Sequence, residues 1–130
     1  MDDIVVYLSG KMKGVEDYNF REFNRVAGVL RGLGYVVINP AETAGGVKHM
    51  SRQWYFRMDY AMIANVDYVF VMPGWKDSPG AISEVIMATE MGIPVWALSN
   101  AGGPIGIVNV EGWSIDCNIL VAEGVDDDAN

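Results

Sequence analysis

Disulfide bridges, histidine clusters and membrane-length apolar runs are all missing from this chain of 130 residues. A single cysteine, Cys117, excludes a disulfide within the chain and points to a reducing compartment. A single histidine, His49, offers no metal-ligand constellation, so neither a metal nor another cofactor is expected. Basic residues are scarce: nine Lys and Arg stand against 17 Asp and Glu, for a formal net charge of −8. That balance disfavours extended contact with a nucleic-acid backbone, which needs clustered cations. A small anionic ligand remains compatible, because a few local donors suffice for it. The apolar runs fall far short of the ~20 residues that span a membrane. The Met-Asp-Asp start carries no basic segment, and a cytoplasmic location is expected.

What is present is an ordinary globular balance, 51% hydrophobic and 20% charged. Residues 1–122 read as one domain, and the acidic stretch 123–130 as a frayed, solvated tail. Short β-branched runs alternate with amphipathic segments. Strands are expected at Ile4–Leu8, Tyr35–Ile38, Asp67–Met72 and Pro94–Leu98. Helices are expected at Tyr18–Leu33, with Phe20, Phe23, Ala27 and Leu30 inward, and at Trp54–Asn65, with Tyr55, Met58 and Met62 inward. Residues 41–51 read as a mixed loop or lid, and residues 99–116 as irregular. Ile119–Val121 is a candidate fifth strand. The alternation specifies an α/β domain: a parallel sheet of four to five strands, covered by helices on both faces.

One stretch organises the rest. Ser78-Pro79-Gly80-Ala81-Ile82-Ser83-Glu84 follows a strand and a Gly-bearing turn and opens a helix that runs to about Met91. Ser78 suits an N-cap and Pro79 the first helical position. Glu84 stands four residues after Gly80, on the same helix face and off the apolar stripe of Ile82, Val85, Ile86 and Thr89. A carboxylate at the open mouth of a cleft, near free backbone N–H groups, is the expectation. The bland alternative is a solvated surface glutamate.

Other candidates each carry two readings. Ser9-Gly10-Lys11-Met12-Lys13-Gly14, directly after the first strand, is a phosphate-holding loop or a solvated turn. Tyr7 faces the cleft or the core. Asp59 sits beside the inner stripe of its helix and is functional or peripheral. Trp75, in the strand-to-helix turn, stacks on a ligand ring or covers the core.

Tyr7-Leu8-Ser9-Gly10, Asp59 with Asp67 eight residues on, Ser78-x-Gly80-x-x-x-Glu84 and Pro94 together resemble the nucleoside 2-deoxyribosyltransferase superfamily. That superfamily includes the 2′-deoxynucleoside 5′-monophosphate N-glycosidases, and the chain is especially similar to a phage-rich branch of it. The resemblance spans roughly residues 3–98. It implies a three-layer flavodoxin-like, Rossmann-like fold and chemistry at an N-glycosidic bond. It further implies Glu84 as nucleophile, Asp59 as the acid assisting the leaving base, and Tyr7 as the group orienting the nucleophile. The loop of Ser9, Gly10, Lys11 and Lys13 falls where the glycosidases contact the 5′ end of the sugar. The position six residues before the nucleophile is Asp in the free-nucleoside transferases and Ser in the monophosphate glycosidases; here it is Ser78. Asp67 reads as structural.

The expected activity is therefore cleavage or transfer at the N-glycosidic bond of a nucleoside or nucleoside 5′-monophosphate, through a covalent glycosyl-Glu84 intermediate. Ser78, Gly80 and Trp75 complete the expected substrate contacts. A module that captures a nucleotide without turnover is the alternative, as is a partner-binding domain that kept the fold alone. Four Trp, eight Met and the high apolar content point to a homodimer or higher homo-oligomer.

Overall fold

A computed structural model describes residues 3–43 and 50–108. His49, Cys117, the candidate strand Ile119–Val121 and the acidic tail lie outside the described residues. The strands are β1 (Val5–Ser9), β2 (Val36–Ile38), β3 (Tyr68–Val71), β4 (Val95–Leu98) and β5 (Pro104–Ile107). The helices are α1 (Phe20–Gly32), the short α2 (Pro40–Thr43), α3 (Arg52–Ile63) and α4 (Pro79–Glu90). The sheet order is β2-β1-β3-β4-β5. The first four strands pair in parallel and β5 joins β4 antiparallel.

The period of two along each strand sorts the core into two layers. Val6, Leu8, Phe70 and Met72 face α1, where Phe23, Val26, Ala27 and Leu30 close over them. Tyr7, Val69, Val71 and Val95 face the other way, against Ile63 of α3 and Ala81, Val85 and Ala88 of α4. Helices thus cover both faces, as the alternation of elements requires.

The order also creates a crevice. From β1 the chain turns back through α1 to β2, on one side of β1. From β3 it turns back through α4 to β4, on the other side. The carboxyl ends of β1 and β3 are adjacent and feed helices on opposite faces, which is where open α/β sheets hold their ligands. The β1–β3 pairing sets Ser9 opposite Val71. Asp67 pins the other end of that pair: its carboxylate accepts from Val5 N–H and its own N–H donates to the Val5 carbonyl, both at 2.8 Å.

Some expectations need correction. The first helix begins at Phe20, because Asp17, Tyr18 and Asn19 hold left-handed φ values of 51, 55 and 61°. Each costs roughly 1–2 kcal/mol for a residue with a Cβ, and the Asn19 side-chain amide, donating to the Lys11 carbonyl at 2.9 Å, offsets part of it. In α3, Met58 is 36% exposed, whereas Ile63 is fully buried and takes the place in the core. Residues 104–107, inside the segment read as irregular, form β5. Its apolar side chains alternate outward, with Ile105 and Ile107 at 69% and 65% exposure, and that pattern resembles a loop in composition. The short α2 spans four residues, too few for a helical period to show in the sequence. Its start is fixed by the buried Asn39, whose Oδ1 accepts from Ala41 N–H.

Candidate active site

Ser78 caps α4: it is extended at φ −114° and its hydroxyl oxygen accepts from Ala81 N–H at 3.1 Å. Pro79 supplies the first helical position without a wasted donor. The turn before it needs Gly74, whose φ of 86° is left-handed. These choices start the helix at the carboxyl end of β3 and set Glu84 in its second turn, against the sheet.

Glu84 is 8% exposed, not at an open cleft mouth. Ala81, Val85 and Ala88, three, one and four residues from it in α4, are buried with it, so α4 is enclosed over more of its circumference than the stripe of Ile82, Val85, Ile86 and Thr89 implied. The carboxylate meets two hydroxyls from β1. Tyr7 donates to Oε2 at 2.9 Å, and Ser9 donates to Oε1 at 2.6 Å. Tyr7 is fully buried and Ser9 1% exposed. Residues two apart on one strand project to the same face, so both hydroxyls reach the helix that covers that face. Asp59, on α3, adds a second carboxyl close enough to interact with both Glu84 and Tyr7.

Burial dominates the electrostatics. It pushes the Glu84 carboxyl well above the usual carboxylate range, and the neighbouring Asp59 pushes it further. The hydrogen bonds from Ser9 and Tyr7 pull the other way, because they favour the charged form. Asp59 is also raised by burial, less so because Glu84 and Tyr7 bond to it. Tyr7 is raised well above 10 by burial and by both carboxyls, so it remains a donor. Two neighbouring carboxyls, one of them buried, cannot both ionise cheaply, and the pair holds a proton into a range where isolated carboxyls have lost theirs. Burial thus outweighs the preference for a charged carboxylate near the start of a helix.

The remaining candidates are spread around this centre. Gly10 follows Ser9 and packs tightly: a Cβ there would stand 3.2 Å from both Cβ and Sδ of Met72. Lys11 is half-buried and Lys13 exposed on the loop beyond it. Gly80 is exposed on the first turn of α4. Trp75 is 6% exposed and belongs to the core layer that contains Tyr7, Ala81 and Val85. Lys76 Nζ lies 5.8 Å from its ring centroid. A cavity of about 230 Å³ opens at the carboxyl ends of β3 and β4, between Val71–Lys76 and Ala97–Leu98. Among the described residues no group of three or more His, Cys, Asp or Glu is placed to hold a metal ion, and no helix is long and apolar enough to cross a membrane.

The model of DUF4406, described as a domain of unknown function, matches residues 4–97. The chain belongs to that family. Its matched stretch holds all of the candidate site residues. No curated protein matches the chain. Solved structures do. BlsM is 21% identical with a TM-score of 0.58 over 72% of the chain, which spans 63% of BlsM. The 2-deoxyribosyltransferase of Bacillus psychrosaccharolyticus is 22% identical with a TM-score of 0.59, over 89% of this chain and 95% of that one. The Clostridium botulinum CMP N-glycosidase BcmB is 26% identical with a TM-score of 0.50, over 72% of this chain and 70% of that one. The DUF4406 domain here thus has the nucleoside 2-deoxyribosyltransferase-like fold, as the sequence motifs implied. These neighbours include an N-glycosidase and a deoxyribosyltransferase, so the fold is one that supports N-glycosidic bond chemistry.

Proposed function

We propose that this protein is an enzyme that cleaves or transfers at the N-glycosidic bond of a nucleoside 5′-monophosphate or nucleoside, through a covalent glycosyl-Glu84 intermediate. The observation that carries this reading is the Glu84 carboxylate, buried at the sheet's crevice, held by two hydroxyls and paired with Asp59. A surface glutamate needs no such partners, and a pure phosphate binder loses by repulsion from a carboxylate. The likeness to a CMP N-glycosidase supports the bond chosen.

The reactive form of the pair is its minor one, with Glu84 ionised and the shared proton on Asp59. A Glu84 oxygen attacks C1′ as the C1′–N bond breaks, through an oxocarbenium-like state that the carboxylate stabilises. The base leaves with the bonding electron pair and takes the Asp59 proton. In the second step water attacks C1′, the C1′–Oε bond breaks, and the electron pair returns to Glu84. The proton of the water passes to Asp59. A second base in place of water gives transfer instead of hydrolysis. Ser78, Gly80, Lys11 and Lys13 are the proposed contacts of the 5′ group. The Gly80 N–H and the Ser78 hydroxyl hydrogen are the donors here, since Ala81 N–H is taken by the cap. Trp75 is packed in the core layer beside Ala81, and the cavity it borders is lined by none of Tyr7, Ser9, Asp59 and Glu84, so neither is assigned to the base.

Incubation with a panel of nucleosides and their 5′-monophosphates, followed chromatographically, should release free base from at least one. Tight binding of a nucleotide with no base released by any member would replace this reading with nucleotide capture. The reading includes a homo-oligomer: Phe56, Met58 and Tyr60 stand exposed on α3. A sedimentation mass of one 14.2 kDa chain at micromolar concentration would remove that part.

A further inference from the structure

We propose that Ser9 is a positioning residue for Glu84, which it holds by one carboxylate oxygen while Tyr7 holds the other, and that it makes no contact with the substrate's 5′ group. The inference rests on Glu84 being the nucleophile. The geometry assigns each β1 hydroxyl to a different oxygen: Ser9 to Oε1 at 2.6 Å, Tyr7 to Oε2 at 2.9 Å. A hydroxyl has one proton to give, and that of Ser9 is spent on Glu84. Two donors on two oxygens fix the plane of the carboxylate, which a single donor leaves free to rotate about its last torsion.

The mount of Ser9 is itself rigid. Its carbonyl accepts from Met72 N–H at 2.9 Å, at the end of the β1–β3 ladder. Gly10 follows at a distance from Met72 and Phe23 that admits no larger residue without displacing them. The ladder bond and the close packing at Gly10 thus both oppose an outward shift of the strand end that carries Ser9. A bond this short to a carboxylate is charge-assisted, and it favours the ionised nucleophile inside a pocket that favours the neutral acid. Besides Ser9, the groups facing Glu84 are Tyr7 on the same strand and Asp59 on α3.

The test needs two readouts. Carboxyl carbons of ¹³C-labelled glutamate, with the Glu84 signal assigned through Glu84→Gln, report the protonation of Glu84 without substrate. In Ser9→Ala the Glu84 midpoint should move to higher pH, because a bond that stabilised the ionised form is gone. Ser9→Cys, a weaker donor of similar size, should lie between the two. The acid limb of kcat/KM should move the same way, with kcat at neutral pH down about tenfold, as for a hydrogen bond to a charged group, and KM little changed. A Glu84 midpoint identical in wild type, Ser9→Ala and Ser9→Cys would overturn the proposal. So would a raised KM for monophosphates at unchanged kcat, which is the signature of a substrate contact. The labelled-carboxyl titration stands even if no base is ever released; that outcome would sink the glycosidase reading and leave the Ser9–Glu84 assignment to be judged by the midpoint.

Discussion

Under α1 the sheet presents Val6, Leu8, Phe70 and Met72, and Phe23, Val26, Ala27 and Leu30 close over them. Under α3 and α4 the same strands present Tyr7 and Ser9, and the helices return Asp59 and Glu84 among Ile63, Ala81 and Val85. The two faces are built from alternate residues of the same β1, one residue apart. One is a hydrophobic layer whose contribution is stability. The other buries Tyr7, Ser9 and Glu84, with Asp59 half-buried beside them, and so contains a polar cluster that a stability argument does not require. Replacing buried polar groups with apolar ones of the same shape is often neutral or favourable, so their placement here favours a chemical role.

The sharpest way to break this comparison is Glu84→Gln. It should cut base release on the order of a thousand-fold or more, as expected for loss of a covalent nucleophile, with the fold retained. Gln is the cleaner variant. Glu84→Ala would leave the buried Tyr7 and Ser9 hydroxyls facing a void, and the packing loss expected to be small for a solvated residue is not small for one 8% exposed. Retention of most activity by Glu84→Gln would dissolve the distinction between the faces.

Phe23→Ala tests the other face. It should cost about 3–5 kcal/mol in urea unfolding and leave the pH dependence of base release unchanged in the molecules that remain folded. A shifted pH profile would mean that the α1 layer also tunes the carboxyl pair. Asp59→Asn should slow base departure about a hundredfold, and most for bases that leave poorly. An equal effect on an activated leaving group would make Asp59 a positioning group only.

How far the sequence disclosed these two faces differs between them. The α1 face follows from periodicity: Phe23, Ala27 and Leu30 are three and four apart, and β-branched runs mark every strand that meets them. The α4 face follows only in part. The spacing of Glu84 from Gly80 and the position of Asp59 beside an apolar stripe singled out both residues. The same spacing set Glu84 in the open, because the burial of α4 depends on α3 crossing beside it, which no local pattern encodes. The sequence sets Ser9 at the start of a loop that is either phosphate-holding or a solvated turn. The signal that would have found its partner is the period of two: Tyr7 and Ser9 share one face of β1, and a helix that brings a carboxylate to Tyr7 brings it to Ser9. Met58 and Ile63 illustrate the converse. A stripe three and four apart has two registers on a helix as apolar as α3, and the packing against α4 selects the one that buries Ile63 and turns Asp59 inward. The antiparallel β5 carries outward-facing isoleucines, so hydrophobic alternation pointed away from a covered strand.

Ser78→Asp sharpens the site at its outer rim. Asp is as good an N-cap as Ser, so α4 should start at the same place. Opposite a phosphate dianion its charge should lower kcat/KM for a monophosphate by about ten- to a hundredfold relative to the matched nucleoside, the equivalent of ~1.5–3 kcal/mol. An unchanged ratio would remove the proposed 5′-phosphate contacts. The smallest effect expected is on stability. A carboxyl whose folded pKa is raised above its unfolded value stabilises the fold at low pH, and that contribution is lost as pH rises through the folded pKa. Glu84→Gln has no such charge to bury. Its melting temperature should therefore exceed that of wild type by about 2–6 °C at alkaline pH, for roughly 1 kcal/mol, and the gap should close as pH falls through the carboxylate range. A gap that widens on acidification would mean that Glu84 is stabilised as a carboxylate in the fold.

The covalent intermediate is tested most directly by stereochemistry. Base release is run in water containing methanol, and the methyl glycoside formed is assigned by proton NMR before any anomerisation. Two displacements at C1′, the first by Glu84, predict the same anomeric configuration as the substrate. A methyl glycoside of inverted configuration would mean that solvent attacks the substrate directly and that Glu84 never bonds to the sugar.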